Sequence, residues 1–309
     1  GGSMIIVFIN SFVAKFIPNE KKIMTSAIIT AAYNVGAALV AILFLLFKEH
    51  FVEDWRYTMI GFSIFSIILF ICWLIFSHDF EPTITWKHPN YFVYKLLIES
   101  KETLHEEDAK KYTYADGFKD KFIYVFSLGF GGFLFLYVMP LVSLPRVVAE
   151  HAHNSSFKPE FMILTVTLGG IIGTLFSLMV TRKLNFRRKP FLIAHGVLMI
   201  GFMALGLTFV STNVVLSYIM FSLSGFFMYS QYPVYLNLPY ELPNMNSQRL
   251  TIMFGIFWAF GYAIYTLFNF TWSLVLNHMG YNSSIIFYLL GSLIYIIFVF
   301  TFPETRPKK

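Results

Sequence analysis

Apolar residues fill this chain in long blocks, and the few polar residues inside them recur at three- and four-residue steps. That spacing is helical. Eight blocks are long enough to cross a hydrocarbon core of about 30 Å, which takes ~20 helical residues: 23–47, 57–76, 122–144, 161–181, 191–210, 214–238, 250–276 and 284–302. A ninth block, 4–17, is shorter and is expected to be the tail of a further span. A helical rather than alternating period argues against a β-barrel. The last two lipid-length blocks but one are not uniformly oily. Within 250–276, Trp258, Tyr262, Tyr265, Asn269 and Trp272 fall on one helical face, continued upward by Gly255 and Thr251. Within 214–238, Ser224, Met228, Gln231 and Tyr235 form one line, and Tyr218, Ser222, Gly225, Tyr229 and Tyr232 the next. Pro233 frees the carbonyl of Tyr229 and Pro140 that of Leu136, and a freed carbonyl at membrane depth must find a partner.

Composition agrees with a lipid solvent. Of 309 residues, 57% are hydrophobic and 13% charged, where a soluble domain carries about 25% charged residues. The mean hydropathy is +0.64. The expectation is an all-α membrane protein. The net charge of +6 then reports topology, and no nucleic-acid partner is expected. If "RKLNFRRK" (182–189) faces the cytoplasm, only Lys48, Arg56, Arg146 and Lys158 of the 23 Lys and Arg fall on the other side, as the positive-inside rule requires. The C-terminus is then cytoplasmic. The single Cys72 has no partner for a disulfide within the chain, and "GGS" at 1–3 reads as a cloning scar.

The one long polar segment, 77–121, divides the spans. Its middle, 91–112, has an apolar first half, a charged second half and a Glu107/Lys111 pair at i,i+4. It predicts a cytoplasmic linker carrying an amphipathic helix, between residues 4–76 and a six-helix bundle at 122–302, with 303–309 as a cytoplasmic tail.

No acid lies within a span, and the one basic residue in an apolar block, Lys15, can snorkel to an interface. Chemistry at membrane depth therefore falls to neutral groups. Besides the two stripes, these are Asn10, then Thr30, Tyr33 and Asn34, then Tyr124 and Ser127. No phosphate loop, nucleophile elbow or zinc-protease motif occurs, so no enzyme, cofactor or metal is expected. "EHAH" (150–153) reads as a solvated loop and His195 as a packing residue. Gly169, Gly170 and Gly173 suit a close helix crossing.

"FIPNEKKIMTSAIITAAYNVGAALVA", "DWRYTMIGF", "TRKLNFRRKP", "ELPNMNSQR" and "FPETRP" together resemble the major facilitator superfamily of transporters, with "ELPNMNSQR" similar to its cyanate-transporter-like branch. The resemblance covers essentially the whole chain and implies nine spans, from the end of helix four to helix twelve of an expected twelve. It implies that Asn10, Tyr33, Asn34, Tyr124, Ser127, Gln231, Tyr235, Trp258, Tyr262, Tyr265 and Asn269 border a substrate path between two bundles. It also implies that Arg182, Arg187 and Arg188 help hold a cytoplasmic gate. Thr181 and Asn185 stand where an acid and Gly are usual in the basic loop motif, so an Asp-led charge latch is not expected in this half. The Gly-Pro pair of drug antiporters is missing from "AAYNVGAALVA". The reading that follows is a secondary active or facilitative carrier of a small polar solute in the cell membrane, working by alternating access, with the coupling ion unspecified. The alternatives are a transport-inactive receptor or scaffold on the same fold and a drug efflux antiporter.

Overall fold

The computed structural model describes residues 19–76, 112–151, 156–183, 186–242, 245 and 247–305. Among them every regular element is a helix: α1 Asn19–Glu53, α2 Trp55–Phe76, α3 Tyr114–Lys119, α4 Lys121–Val138, a 3₁₀ turn Met139–Leu141, α5 Leu144–His151, α6 Pro159–Lys183, α7 Arg188–Phe209, α8 Val214–Glu241 and α9 Ser247–Thr301. Seven of these are long and apolar enough to cross a membrane. All eight expected lipid-length blocks fall on them, because α9 holds two. At Gly280 its backbone turns to φ 83°, ψ 177°, a conformation that an L side chain resists. The helix breaks there into arms 247–279 and 281–301. The block 4–17 and all of the expected linker helix 91–112 but Tyr112 lie outside the described residues.

The chain forms two compact units, one from the residues up to Ile42 together with those from Tyr112 onward, the other from Leu43 to Lys111. In the second, α2 is apolar on every side, and Ile64, Phe65, Ile68 and Leu69 are exposed. Ser63 and Ser66 donate to the carbonyls of Met59 and Phe62, both at 2.8 Å. This internal bonding satisfies a hydroxyl where water is absent.

In the first unit, α4 packs on α9, and α8 on α6 and α7. The core between them is aromatic: Phe126, Phe130, Phe133, Tyr235 and Tyr295 are each buried. On α1, Ala27, Thr30, Asn34, Ala38 and Ala41 are the buried face, a stripe of small residues at helical spacing that lets a neighbour approach. The crossing of α6 and α8 is closer still. A methyl group on Gly169, Gly173 or Gly225 would overlap the backbone carbonyl of Ser222, Phe226 or Val166 respectively, so the glycine patch is an interface.

Helix ends are capped by side chains. Thr113 and Asp116 form a capping box on α3, Asp120 accepts from the Phe122 amide at the start of α4 (3.0 Å), and Asn213 accepts from the Leu216 amide on α8 (3.0 Å). Several boundaries differ from expectation. The block 122–144 is not one helix: α4 ends at Val138 and the 3₁₀ turn follows, because Pro140 cannot continue the α-helical bonding. α8 continues past Leu238 to Glu241, since Pro239 removes one hydrogen bond without ending the helix and Glu241 is held by partners described below. α6 runs from Pro159 to Lys183, two residues beyond the apolar block at each end.

Candidate functional site

A cavity of about 220 Å³ opens among α1, α4, α8 and α9 of the first unit. α1 contributes Ser26, Ile29, Thr30 and Tyr33, four residues on successive steps of one face. α4 contributes Leu134, Tyr137 and Val138; α8 adds Tyr232 and Leu236; α9 adds Trp258 and Tyr262. No charged residue is among these eleven.

The rings are ordered. Tyr232 is stacked near Phe133 (5.4 Å between centroids, 4° between planes) and Tyr137 (6.0 Å, 18°). Phe130 lies at 10° to Tyr232 and at 89° to Trp258, so the indole stands close to perpendicular to the Tyr232 ring. Tyr262 stacks on Trp258 (5.7 Å, 26°), and Tyr33 tilts against Tyr137 (5.9 Å, 36°). Thr30 spends its hydroxyl proton on the Ser26 carbonyl (2.8 Å). Trp258 is 1% exposed, and its Nε1–H has no partner. Asn34, next in sequence to Tyr33 and fully buried, has neither amide atom bonded. Buried polar atoms in such proteins are ordinarily paired.

Of the residues that the sequence nominates, the structure brings Tyr33, Trp258 and Tyr262 to this cavity. Asn34 sits beside it on α1. Four others have different settings. The Gln231 carboxamide oxygen accepts from Tyr295 Oη (2.7 Å), and its nitrogen donates to Met199 Sδ (2.8 Å). Tyr235 donates to the Phe126 carbonyl (2.6 Å), and Ser127 to the Ile123 carbonyl (2.6 Å). Tyr124 donates to the Phe118 carbonyl (2.8 Å) at the start of α4. Tyr265 and Asn269 are half-buried, farther along α9. Asn10 lies outside the described residues. Tyr137 and Tyr232 complete the ring walls, yet the pattern of 122–144 gives Tyr137 no polar companion, and Tyr232 lies on the second of the two lines of α8. The carbonyl that Pro140 leaves on Leu136 accepts from Tyr288 Oη (2.9 Å).

The basic loop forms a second cluster. Arg188 is 1% exposed and donates to Glu241 from Nη2 (2.8 Å) and Nε (3.3 Å). Glu241 also accepts from Thr305 (2.6 Å) and Asn237 (3.1 Å). Glu304 accepts from the backbone amides of Arg188 (2.8 Å) and Lys189 (3.3 Å), which caps α7 with a carboxylate. Arg187 pairs with Glu304 at 3.5 Å. The basic loop is thus ion-paired although Thr181 stands where an acid is usual. The paired acids come from the end of α8 and from the tail, the segments "ELPNMNSQR" and "FPETRP". The Arg182 side chain lies outside the described residues. Near the start of α9, Arg249 pairs with Asp120 (3.1 Å), and Gln248 donates to the Tyr112 carbonyl (3.0 Å). Burial, with Asp120 near, raises the Tyr112 phenol above its ordinary pKa. His195 bonds the Phe191 carbonyl through Nδ1 (2.9 Å), and the described residues hold no His, Cys, Asp and Glu group suited to a metal.

Comparison with known proteins adds an independent finding. The sequence pattern of a family described as Mycoplasma MFS transporter matches residues 1–277. A major facilitator superfamily transporter of Mycoplasma genitalium is 24% identical over 297 residues, covering 90% of this chain and 50% of the relative. An uncharacterized protein of Mesomycoplasma hyopneumoniae is 22% identical over 327 residues, covering 96% of this chain and 64% of the relative. The chain thus spans between half and two thirds of the length of these curated relatives.

Proposed function

This chain belongs to the Mycoplasma MFS transporter family, a multi-pass membrane protein of transmembrane transport, and from that premise we propose that it serves a secondary active or facilitative carrier of a small polar solute. Alternating access moves the solute, which binds in the cavity lined by Tyr33, Tyr232, Trp258 and Tyr262. One observation carries this reading: Trp258, on a helix of membrane-spanning length, lines the cavity and its buried Nε1–H has no partner. A donor kept unpaired in such a place is tolerated when a ligand or water engages it for part of the cycle.

The basic end faces the cytoplasm of the cell, in line with the positive-inside bias. There Arg187 and Arg188, bonded to Glu304 and Glu241, help hold the gate. Residues 77–121 link the two bundles between which the solute path runs. Tyr265 and Asn269 border that path beyond the cavity.

The test is flux. Full-length protein in proteoliposomes is expected to show saturable, competable uptake of at least one of labelled uracil, D-glucose and L-serine, reduced by Trp258→Phe. Saturable binding without flux across that panel favours a receptor on the same fold and defeats the carrier reading.

A further inference from the structure

The walls of the cavity also restrict the chemistry of its ligand. We propose that it takes a small, planar, uncharged heteroaromatic compound, a single ring or fused pair, stacked in line with Tyr137 and Tyr232 and bonded at its rim by Trp258 Nε1–H. This rests on the reading of the cavity as the solute site.

Charge is the first restriction. No Lys, Arg or His lines the cavity, so a carboxylate or phosphate would enter without a counter-charge. No Asp or Glu lines it either, so a desolvated ammonium would have ring faces alone to replace its water. An anion, or a compact and strongly hydrated ammonium, moved from water into such a site is poorly compensated, and choline tests the aromatic walls against a weakly hydrated cation. The ligand is neutral.

Size is the second. At about 220 Å³ the cavity is smaller than the roughly 300–1,000 Å³ of sites that hold drug-sized ligands.

Shape is the third. Five of the eleven lining residues are aromatic. Tyr137 and Tyr232, at 18° to each other, continue a run of near-parallel rings that begins with Phe130 and Phe133. A flat ring extends that run in the offset stacking that aromatic pairs prefer. Trp258, nearly perpendicular to the run, then meets the ligand along its edge. A heteroaromatic ring carries its nitrogen and oxygen atoms at that edge and leaves both faces apolar, which suits this division of the walls. A hexose has a polar group on almost every carbon. Such a ring has no flat aromatic face to continue the run of near-parallel walls.

The experiment measures equilibrium binding of labelled uracil and adenine to purified full-length protein, with D-glucose and choline as competitors. Saturable binding of a base, not displaced by excess glucose or choline, is expected. Trp258→Phe, which keeps the ring and deletes the donor, is expected to weaken it roughly 3- to 10-fold. Tyr232→Leu is expected to weaken it roughly 5- to 100-fold, and Tyr232→Phe far less. Size-exclusion profiles matching wild type show that the variants are folded. The proposal is overturned if neither base binds, if glucose or choline displaces them, or if Trp258→Phe and Tyr232→Leu both bind as wild type does. Glucose flux sensitive to Trp258→Phe would sink the ligand class while sparing the cavity as solute site. Flux indifferent to both positions would sink the cavity itself.

Discussion

Gln231 on α8 and Trp258 on α9 are both buried to 1% exposure or less, and both belong to polar stripes on lipid-length helices. Their hydrogen-bonding accounts differ. Gln231 is closed on both sides, by Tyr295 and Met199, in the seam of α7, α8 and the second arm of α9. Trp258 lines the cavity, and its one donor, buried, has no partner. The seam is polar because its bonds tie helices together where lipid offers no hydrophobic drive between them. On the proposed reading, the cavity is polar because the solute bonds there. Burial and helical face are common to both cases; what sets them apart is a bonded seam on one side and a cavity on the other.

That difference can be broken by removing paired groups, which should damage the fold more than the cavity does. The largest effect belongs to Arg188→Ala. It leaves Glu241 at the buried end of α8 without its ion-pair partner, and loss of one member of a buried pair costs about 3–5 kcal/mol. The thermal unfolding midpoint of the detergent-solubilised protein should fall sharply, and an unchanged midpoint would mean that Thr305 and Asn237 suffice to hold Glu241. Gln231→Leu ranks next, at about 1–3 kcal/mol, since Tyr295 Oη loses its acceptor in a dry seam. The same measurement checks it. If Gln231→Leu instead unfolds like wild type while uptake collapses, the seam and the cavity are not distinct. Tyr288→Phe follows at about 1 kcal/mol. It strips the Leu136 carbonyl, already deprived of an amide by Pro140, of its partner, but a carbonyl tolerates such loss better than an N–H does.

How far the sequence reaches follows the same line. Apolar length and helical period place all eight blocks on helices, because a bilayer imposes a minimum length that few other constraints can override. The break between the arms of α9 is legible as the polar gap before 284, though its cause, a positive φ at Gly280, is a backbone fact. The stripe on 250–276 led to Trp258 and Tyr262, and the polar trio on 23–47 to Tyr33 and Asn34. What a single helix cannot display is its partner. Nothing in 214–238 says that Tyr295 and Met199, 64 and 32 residues away, will occupy Gln231. Nothing in "TRKLNFRRKP" says that the acids paired with it arrive from "ELPNMNSQR" and "FPETRP".

Trp258→Phe is the smallest expected change in stability and the sharpest separation of the two regions. Phe keeps most of the indole's contact with Phe130, Phe257 and Tyr262 and deletes an N–H that bonds nothing in the fold. Removing an unsatisfied buried donor relieves a desolvation penalty, while the smaller ring forfeits some packing. These oppose each other, so the unfolding midpoint should stay close to wild type, within about 1 kcal/mol. Uptake should nonetheless fall. A variant that unfolds like wild type and transports less places the use of Trp258 in the ligand-engaged state, where Gln231→Leu should show the reverse: a lowered midpoint, with uptake per folded molecule retained. If Trp258→Phe instead loses as much stability as Gln231→Leu and transports normally, its free donor belongs to packing, and the contrast between seam and cavity does not hold.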